Sequence, residues 1–411
     1  MTESGVTGGD MTAGRDDLAA LYKDLHRHPE PPFGEVRTAR ISAGRLRGAG
    51  FDVATGIGGT GVAGALRNGD GPIVLLRADM DALPLLEKTG LPYASTVTAD
   101  DGQGERVPLM HACGHDMHVA CLVGAAERLA RTRARWRGTV LAVFQPAEEI
   151  AAGARAMLDD GLYERFGAPD VAVAQHVFPH PAGTLLLSPG QVVGTTENLE
   201  VKLFGRGAHG AQPERGVDPV VLAAAVIMRL QAIVAREVAP ADRAVITVAR
   251  VRAGHKENVI PDEAVLTLNL RALTGEVMRT LLSAVERVVN AEAAASGATR
   301  PPQIRPLSSY PVLRNDPDAT ARLDEAFTRR FGSARVAALD PMLGGEDFGL
   351  FGEAAGVPSV FWGLGATDPA RLAEGDAPGN HSPGFAPVIE PTLPTGVDAL
   401  TTAARTFLGA P

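Results

Sequence analysis

Nine consecutive residues, Met110-His111-Ala112-Cys113-Gly114-His115-Asp116-Met117-His118, carry one thiol, three imidazoles and a carboxylate. Thiolate and imidazole together form a donor set suited to zinc and its divalent neighbours. The residues that follow, Val119, Leu122, Val123, Ala126, Leu129 and Ala130, keep helical spacing and predict an amphipathic helix. Cys113 and His115 then sit at the helix mouth, off its buried stripe, where the positive end of the helix dipole stabilises a thiolate. A plainer reading makes these residues a polar helix cap whose histidines only hydrogen-bond. One Cys and three His packed this tightly favour a site instead. Cys121, one turn into the apolar face, reads as an inert core thiol.

The elements around this stretch bring other reactive groups to the same place. A predicted strand at residues 73–77 delivers Arg77-Ala78-Asp79-Met80-Asp81-Ala82-Leu83-Pro84. An unbroken apolar strand, 139–144, of the kind buried on both faces, runs into Gln145-Pro146-Ala147-Glu148-Glu149. Another, 171–174, ends at Gln175-His176. Asp79, Glu148, Glu149 and His176 are thus predicted just past the C-terminal ends of strands, the edge where open α/β sheets bind ligands. Upstream, Leu18, Leu21, Tyr22 and Leu25 mark a helix that Pro29 stops. His26 and His28 at its end read as solvated imidazoles complementing the helix dipole. A helix at 34–47 and strands at 51–54 and 62–67 complete the first half.

The pattern then changes. Leu199, Val201 and Leu203 alternate as in a half-buried strand, followed by a helix at 219–236 and strands at 244–251 and 265–270. A helix bearing Leu281, Leu282, Val285, Val288 and Val289 precedes a short segment at 303–307. This β-α-β-β-α-β order predicts a split βαβ, ferredoxin-like unit. It reads as inserted at 195–308, because α/β signals resume with a helix at 319–331, a strand at 357–362 and a helix at 397–407. The first domain is then discontinuous, 15–194 and 309–411, behind a Gly/Thr-rich tail at 1–14. The fold class expected is α/β, a mixed central sheet flanked by helices plus an inserted α+β domain.

Bulk composition narrows the function classes. The 411 residues include 39 Lys+Arg against 48 Asp+Glu, a net charge of −9, with no basic cluster, so a nucleic-acid partner is not expected. No apolar run is read as reaching the ~20 residues of a membrane span. Two cysteines on one segment exclude a disulfide framework and fit the reducing cytoplasm.

Seven ordered motifs carry a resemblance that covers nearly the whole chain. They are Asp79-Met80-Asp81-Ala82-Leu83-Pro84, the Cys113-Gly114-His115-Asp116 run with His118, Pro146-Ala147-Glu148-Glu149, Gly207-Ala208-His209, Asn258-Val259-Ile260-Pro261, Gly344-Gly345-Glu346-Asp347-Phe348 and Asn380-His381-Ser382-Pro383. In this order they resemble the peptidase M20 amidohydrolases, in the branch of hippurate hydrolase, the IAA-amino acid hydrolases and the N-acetyldiaminopimelate deacetylases. The resemblance implies two divalent ions per chain (Zn, Mn, Co or Ni), with Cys113 as thiolate bridge and His115, Glu149, His176 and His381 as the other ligands. Glu148 becomes the general base; adjacent glutamates after a strand point differently, so one binds metal while the other faces water. Asp79, Asp116, His118 and Glu346 are assigned to bracing the ligands. Asn258 and Arg271 match substrate-holding positions. His209, between flexible glycines on the inserted domain, is expected to donate to the oxyanion, from its own chain or a dimer mate. The same resemblance implies a homodimer through the inserted domain. Two departures stand out: a longer, more acidic loop at 96–107, and Val388-Ile389-Glu390-Pro391 near the end.

The activity implied is hydrolysis of an N-acyl amino acid to a carboxylic acid and an amino acid. A dipeptidase or carboxypeptidase uses the same centre. A cysteine hydrolase with Cys113 as nucleophile is separated by its indifference to chelators. A non-catalytic ligand-binding relative remains the other class, since fold does not imply function.

Overall fold

The computed structural model describes residues 8–100 and 104–411, and the chain divides into two compact units. Of the tail expected at 1–14, residues 1–7 lie outside the described residues, and the first helix begins at Gly8.

The first unit takes the chain up to Val192, then Arg314–Asp340 and Asp347–Pro411. Its mixed eight-stranded sheet runs in the order Asp52–Ile57, Gly61–Asn68, Gly138–Gln145, Ile73–Asp79, Val171–Pro181, Ser359–Thr367, Leu185–Leu186, Val336–Ala337. Ile73–Asp79 pairs in parallel with both Gly138–Gln145 and Val171–Pro181, which in turn pairs in parallel with Ser359–Thr367. Gly138–Gln145 and Ser359–Thr367 are buried at every position, as expected of strands covered on both faces. The strand ends beyond Asp79 and Gln145 therefore face the same way.

The helix predicted after the Cys-His stretch spans His115–Arg131. It is not amphipathic through most of its length. Every residue from His115 to Ala126 is buried, because the helix is sandwiched between the sheet and the helices Gly8–Arg27 and Ile389–Phe407. Gly124 permits this approach: a Cβ there would come within 2.7 Å of Leu18 and 2.8 Å of Val397. Trimming Leu122, fully buried at this junction, to Ala is expected to cost roughly 2–5 kcal/mol.

The second unit is Val193–Leu313 with Pro341–Glu346. Its four strands are antiparallel in the order Ala244–Ala253, Glu263–Ala272, Thr195–Phe204, Gln303–Tyr310. Alternating residues Leu199, Val201 and Leu203, with Leu266, Leu268 and Leu270, turn to a separate core under the helices Pro219–Glu237 and Gly275–Ala295. Asp218 starts the first helix by accepting the Val220 N–H at 2.8 Å, with Pro219 at the first helical position. The strand order is that of a ferredoxin-like sheet. One sequence expectation is corrected here: Pro219–Glu237 is long and apolar enough to cross a membrane by length and composition. Its Leu222, Val226, Leu230 and Ile233 are buried in the unit's own core.

Candidate metal centre

Cys113 and His115 flank Gly114, which caps the central helix at φ 81°. A Cβ at Gly114 would lie 2.3 Å from the Val177 side chain, so the two donors are brought against the neighbouring strand by a residue only glycine can be. Cys113 Sγ lies 3.4 Å from His176 Nε2.

His176 was expected just beyond its strand. It lies inside it, because Val171–Pro181 stays paired well past the apolar run. Its Nδ1 donates to the Val177 carbonyl at 2.8 Å, which leaves the Nε2 lone pair facing Cys113. Burial, with His118 and His115 adding to it and Asp79 opposing, holds this imidazole well below its usual pKa. It is therefore neutral, the form that binds metal.

Glu148 and Glu149 diverge for a different reason than the alternation of a strand. They lie on one 3₁₀ turn, Glu148–Ile150, where successive side chains point about 120° apart. The turn is bounded by Ala147 (φ 50°) and Ala151 (φ 56°), both in the left-handed region. Glu149 Oε1 lies 3.4 Å from His381 Nε2 and 3.8 Å from His115 Nε2.

His381 also has a positive φ, 65°, and its N–H donates to the Ala112 carbonyl at 2.8 Å. The nearby Cys113 and then Glu149 outweigh its burial and lift it to about 10. His115 is pulled down by burial, yet Asp79, Asp81 and Cys113 together raise it well above its usual value. The surroundings favour positive charge.

These five side chains fit a metal. Their N, O and S atoms face one another at 3.4–3.8 Å. Buried His115 Nε2 and Glu149 Oε1 make no hydrogen bond. Such confronting donors are what a shared cation satisfies. Cys113, Glu149 and His381 form one group of mutually close donors; His115 with Glu148 and Glu149 forms another.

Asp79, His115, His118 and His176 form a further group by distance alone. Hydrogen bonds assign His118 elsewhere: its Nδ1 donates to Asp79 Oδ1 at 2.5 Å and its Nε2 accepts the Val177 N–H at 2.9 Å. Neither nitrogen is left for an ion. Asp79 Oδ2 accepts from the fully buried Arg77 at 2.6 Å. Burial raises the Asp79 carboxyl, but Arg77, His115 and His118 override it and hold the group well below the usual carboxylate range. Arg77 also reaches Gln145 Oε1 at 2.8 Å and Asp347 Oδ1 at 3.4 Å.

Two residues carry more than the sequence reading gave them. Asp81, quoted in a motif but given no role, has Oδ1 3.2 Å from His115 Nδ1 while Oδ2 accepts the Glu149 N–H at 2.9 Å. Its spacing of two from Asp79 at a strand end was the available signal. His26, read as solvated, is fully buried between Asp116 (2.7 Å) and Glu87 (3.1 Å), because its helix packs directly on the central one. Burial lowers it, but those hydrogen bonds and charges prevail and raise it to about 9. His28 remains half-buried, its Nδ1 donating to the Asp24 carbonyl at 2.7 Å.

On the second unit, exposed His209 pairs through its backbone with Val259, and its Nδ1 accepts the Ala211 N–H at 3.0 Å. Asn258 is exposed and its carbonyl accepts the Gly210 N–H at 2.9 Å. Arg271 donates to the Leu343 carbonyl and to Asn269 Oδ1, each at 2.8 Å. Glu346 is buried. In the acidic loop, Thr98–Asp100 pairs with Arg106–Pro108, and residues 101–103 lie outside the described residues.

Residues 75–406 match the model of Peptidase family M20/M25/M40. The chain is 36% identical to hippurate hydrolase of Campylobacter jejuni over 82% of its length and 85% of that protein's. It is 35% identical to N-acetylcysteine deacetylase of Bacillus subtilis, over 85% and 88% respectively. A solved Bacillus subtilis protein, described as a dinuclear metal binding peptidase from the M20 family, superposes with a TM-score of 0.75 at 30% identity, covering 97% of this chain and 99% of that one. The chain belongs to peptidase family M20/M25/M40, in its amidohydrolase branch.

Proposed function

We propose that this enzyme is a two-metal amidohydrolase that cleaves the amide of N-acyl amino acids, releasing a carboxylic acid and a free amino acid. The observation that carries the reading is the set of five donor side chains, Cys113, His115, Glu149, His176 and His381, linked by contacts of 3.4–3.8 Å, with the buried carboxylate of Glu148 beside His115 and Glu149. Five donors exceed what one tetrahedral site takes, so Cys113, which as a thiolate could be shared, would hold two divalent ions, Zn, Mn, Co or Ni, together with His115, Glu149, His176 and His381. Bound there, the ions supply Lewis acidity, acidifying water and polarising the amide carbonyl.

The chain's own groups do the rest. Glu148 takes the proton of the attacking water and returns it to the leaving nitrogen. Asp81 and His118 hold the ligand side of the site in register. His209, whose Nδ1 is occupied as an acceptor, carries its proton on Nε2 and is assigned as donor to the oxyanion. Asn258 and Arg271 are assigned to the substrate. A dipeptidase or carboxypeptidase is the second reading, favoured by the description of the solved Bacillus subtilis relative as a peptidase. The cytoplasm, which suits two free buried thiols, is the proposed compartment. A homodimer is proposed through the edge strand Ala244–Ala253, where Val245 and Val251 are exposed, with exposed Val220, Val221 and Met228 on the adjoining helix.

One screen tests the reading. Metal-reconstituted protein is offered N-acetyl, N-benzoyl and indole-acyl amino acids beside simple dipeptides, with and without a chelator. Acyl-amino-acid turnover that chelation abolishes and metal restores is the expected result. Preference for dipeptides transfers the assignment to the peptidase reading, and turnover by metal-free protein refutes both.

A further inference from the structure

Residues 26–35 have no part in the chemistry above, yet they reach three of the segments that hold it. His26 donates to Asp116, beside His115. The Glu30 carbonyl accepts the Ala82 N–H, one residue past Asp81, at 2.9 Å. Glu35 Oε1 accepts the Ala147 N–H, one residue before Glu148, at 2.8 Å.

The third contact asks most of the fold. Glu35 is completely buried at the start of the helix Val36–Gly48, but it does not cap that helix. Glu30 does so instead, its two oxygens accepting the Arg37 and Thr38 N–H groups, each at 2.8 Å. The Glu35 carboxylate is turned away toward the Phe33 N–H (3.0 Å), the Thr60 hydroxyl and the Ala147 N–H. Burial outweighs these bonds and pushes it up to about 7. A carboxyl kept dry at that cost is retained for what it holds. What it holds is Ala147, a non-glycine residue at φ 50°, ψ 41°, a conformation alanine keeps only when its surroundings impose it.

We propose that Glu35 is a positioning residue for Glu148: by accepting the Ala147 N–H inside the core, it fixes the left-handed peptide from which Glu148 is aimed. This rests on Glu148 being the general base. Glu149, on the same turn, has its own tether, because its N–H donates to Asp81. Losing Glu35 therefore disturbs the base more than the metal ligand. Protonation of Glu35 does not change the argument, since the Thr60 hydroxyl oxygen can accept a hydrogen bond from a protonated Oε2 as well as donate one to the carboxylate. Oε1 stays an acceptor for Ala147 in either state.

Glu35→Gln keeps a carbonyl oxygen for Ala147 and offers an amide to Thr60; Glu35→Ala keeps neither. Glu35→Ala is expected to lower kcat about 10²-fold, the scale of a misplacement near 1 Å, with KM and metal content close to wild type. Hydrogen–deuterium exchange at the Ala147 amide, followed by peptide mass spectrometry, should accelerate in Glu35→Ala and not in Glu35→Gln. Wild-type kcat in Glu35→Ala overturns the proposal. So does a loss equally deep in Glu35→Gln, or a loss fully accounted for by missing metal. If Glu35→Ala does not fold, Glu35→Asp decides, since it withdraws the acceptor by one methylene: a comparable fall in kcat supports the proposal, and wild-type turnover overturns it. Glu148→Gln run in parallel separates the two readings. If it stays active, the base assignment falls and this inference with it. If it collapses while Glu35→Ala does not, only this inference falls.

Discussion

Asp81 Oδ1 lies 3.2 Å from His115 Nδ1, and the same carboxylate accepts the Glu149 backbone N–H at 2.9 Å. One side chain thus sets the ring orientation of one proposed ligand and the backbone of another. Removing such a partner typically costs 10–100-fold in metal affinity. Asp81→Ala is expected to weaken metal binding by about that factor, measured by competition with a chromogenic chelator. An unchanged affinity rules out the bracing role.

The two glutamates should separate. Glu149→Gln is expected to lose metal, while Glu148→Gln keeps metal and substrate binding and loses about 10²–10⁴ in rate. Elemental analysis beside steady-state kinetics reads both. Equal metal loss in the two variants, or an active Glu148→Gln, reverses the assignments.

His209→Ala is expected to lower kcat by roughly 10²–10³, as loss of an oxyanion donor does, with metal content unchanged. Saturating substrate and full metal occupancy are needed for a clean comparison. Near-normal kcat under those conditions removes His209 from the mechanism.

His26 makes stability depend on pH. Burial alone would lower its pKa; its bonds to Asp116 and Glu87 raise it from 6.5 to about 9. The stabilisation is fully present below pH 6.5 and is lost as pH rises through about 9. A rise of that size corresponds to about 3 kcal/mol. Thermal unfolding across this window should show Tm falling toward high pH in the wild type, with a flatter profile in His26→Gln. Parallel profiles would place the pH sensitivity elsewhere.

Light scattering at micromolar concentration should report a dimer. Val251→Lys, which places a charge on the exposed edge strand, is expected to shift the protein toward monomer. A monomeric wild type contradicts the proposed association.

Much of this molecule can be read from its sequence because the signals are local. The alternation of Leu199, Val201 and Leu203 and the apolar run before Gln145 mark strands by periodicity alone. Cys113, His115, Glu148 and Glu149 lie in short motifs whose residue types announce their chemistry. His26 and Glu35 do not. Each is a single polar residue whose burial depends on a partner 90 or 112 positions away. A histidine in the last turn of a helix looks solvated until the helix that covers it is placed. His176 was displaced by one strand end because an apolar run shows where burial stops, not where pairing stops. The helix His115–Arg131 kept its expected span but not its expected exposure, which is set by two other helices from the chain's opposite ends.

The division of the chain also orders its birth. Cys113, His115, Glu149 and His176 all precede the second unit, whereas His381 and the central strand Ser359–Thr367 follow it. About 200 residues of translation separate His176 from His381, roughly 10–40 s at ordinary ribosomal speed. Throughout that interval the nascent chain carries a thiol and two imidazoles beside an unfinished sheet, while the second unit has a complete core of its own to condense around. With the proposed ligands split in this way, the yield of active enzyme is expected to respond to metal supply during synthesis more than to metal added afterwards.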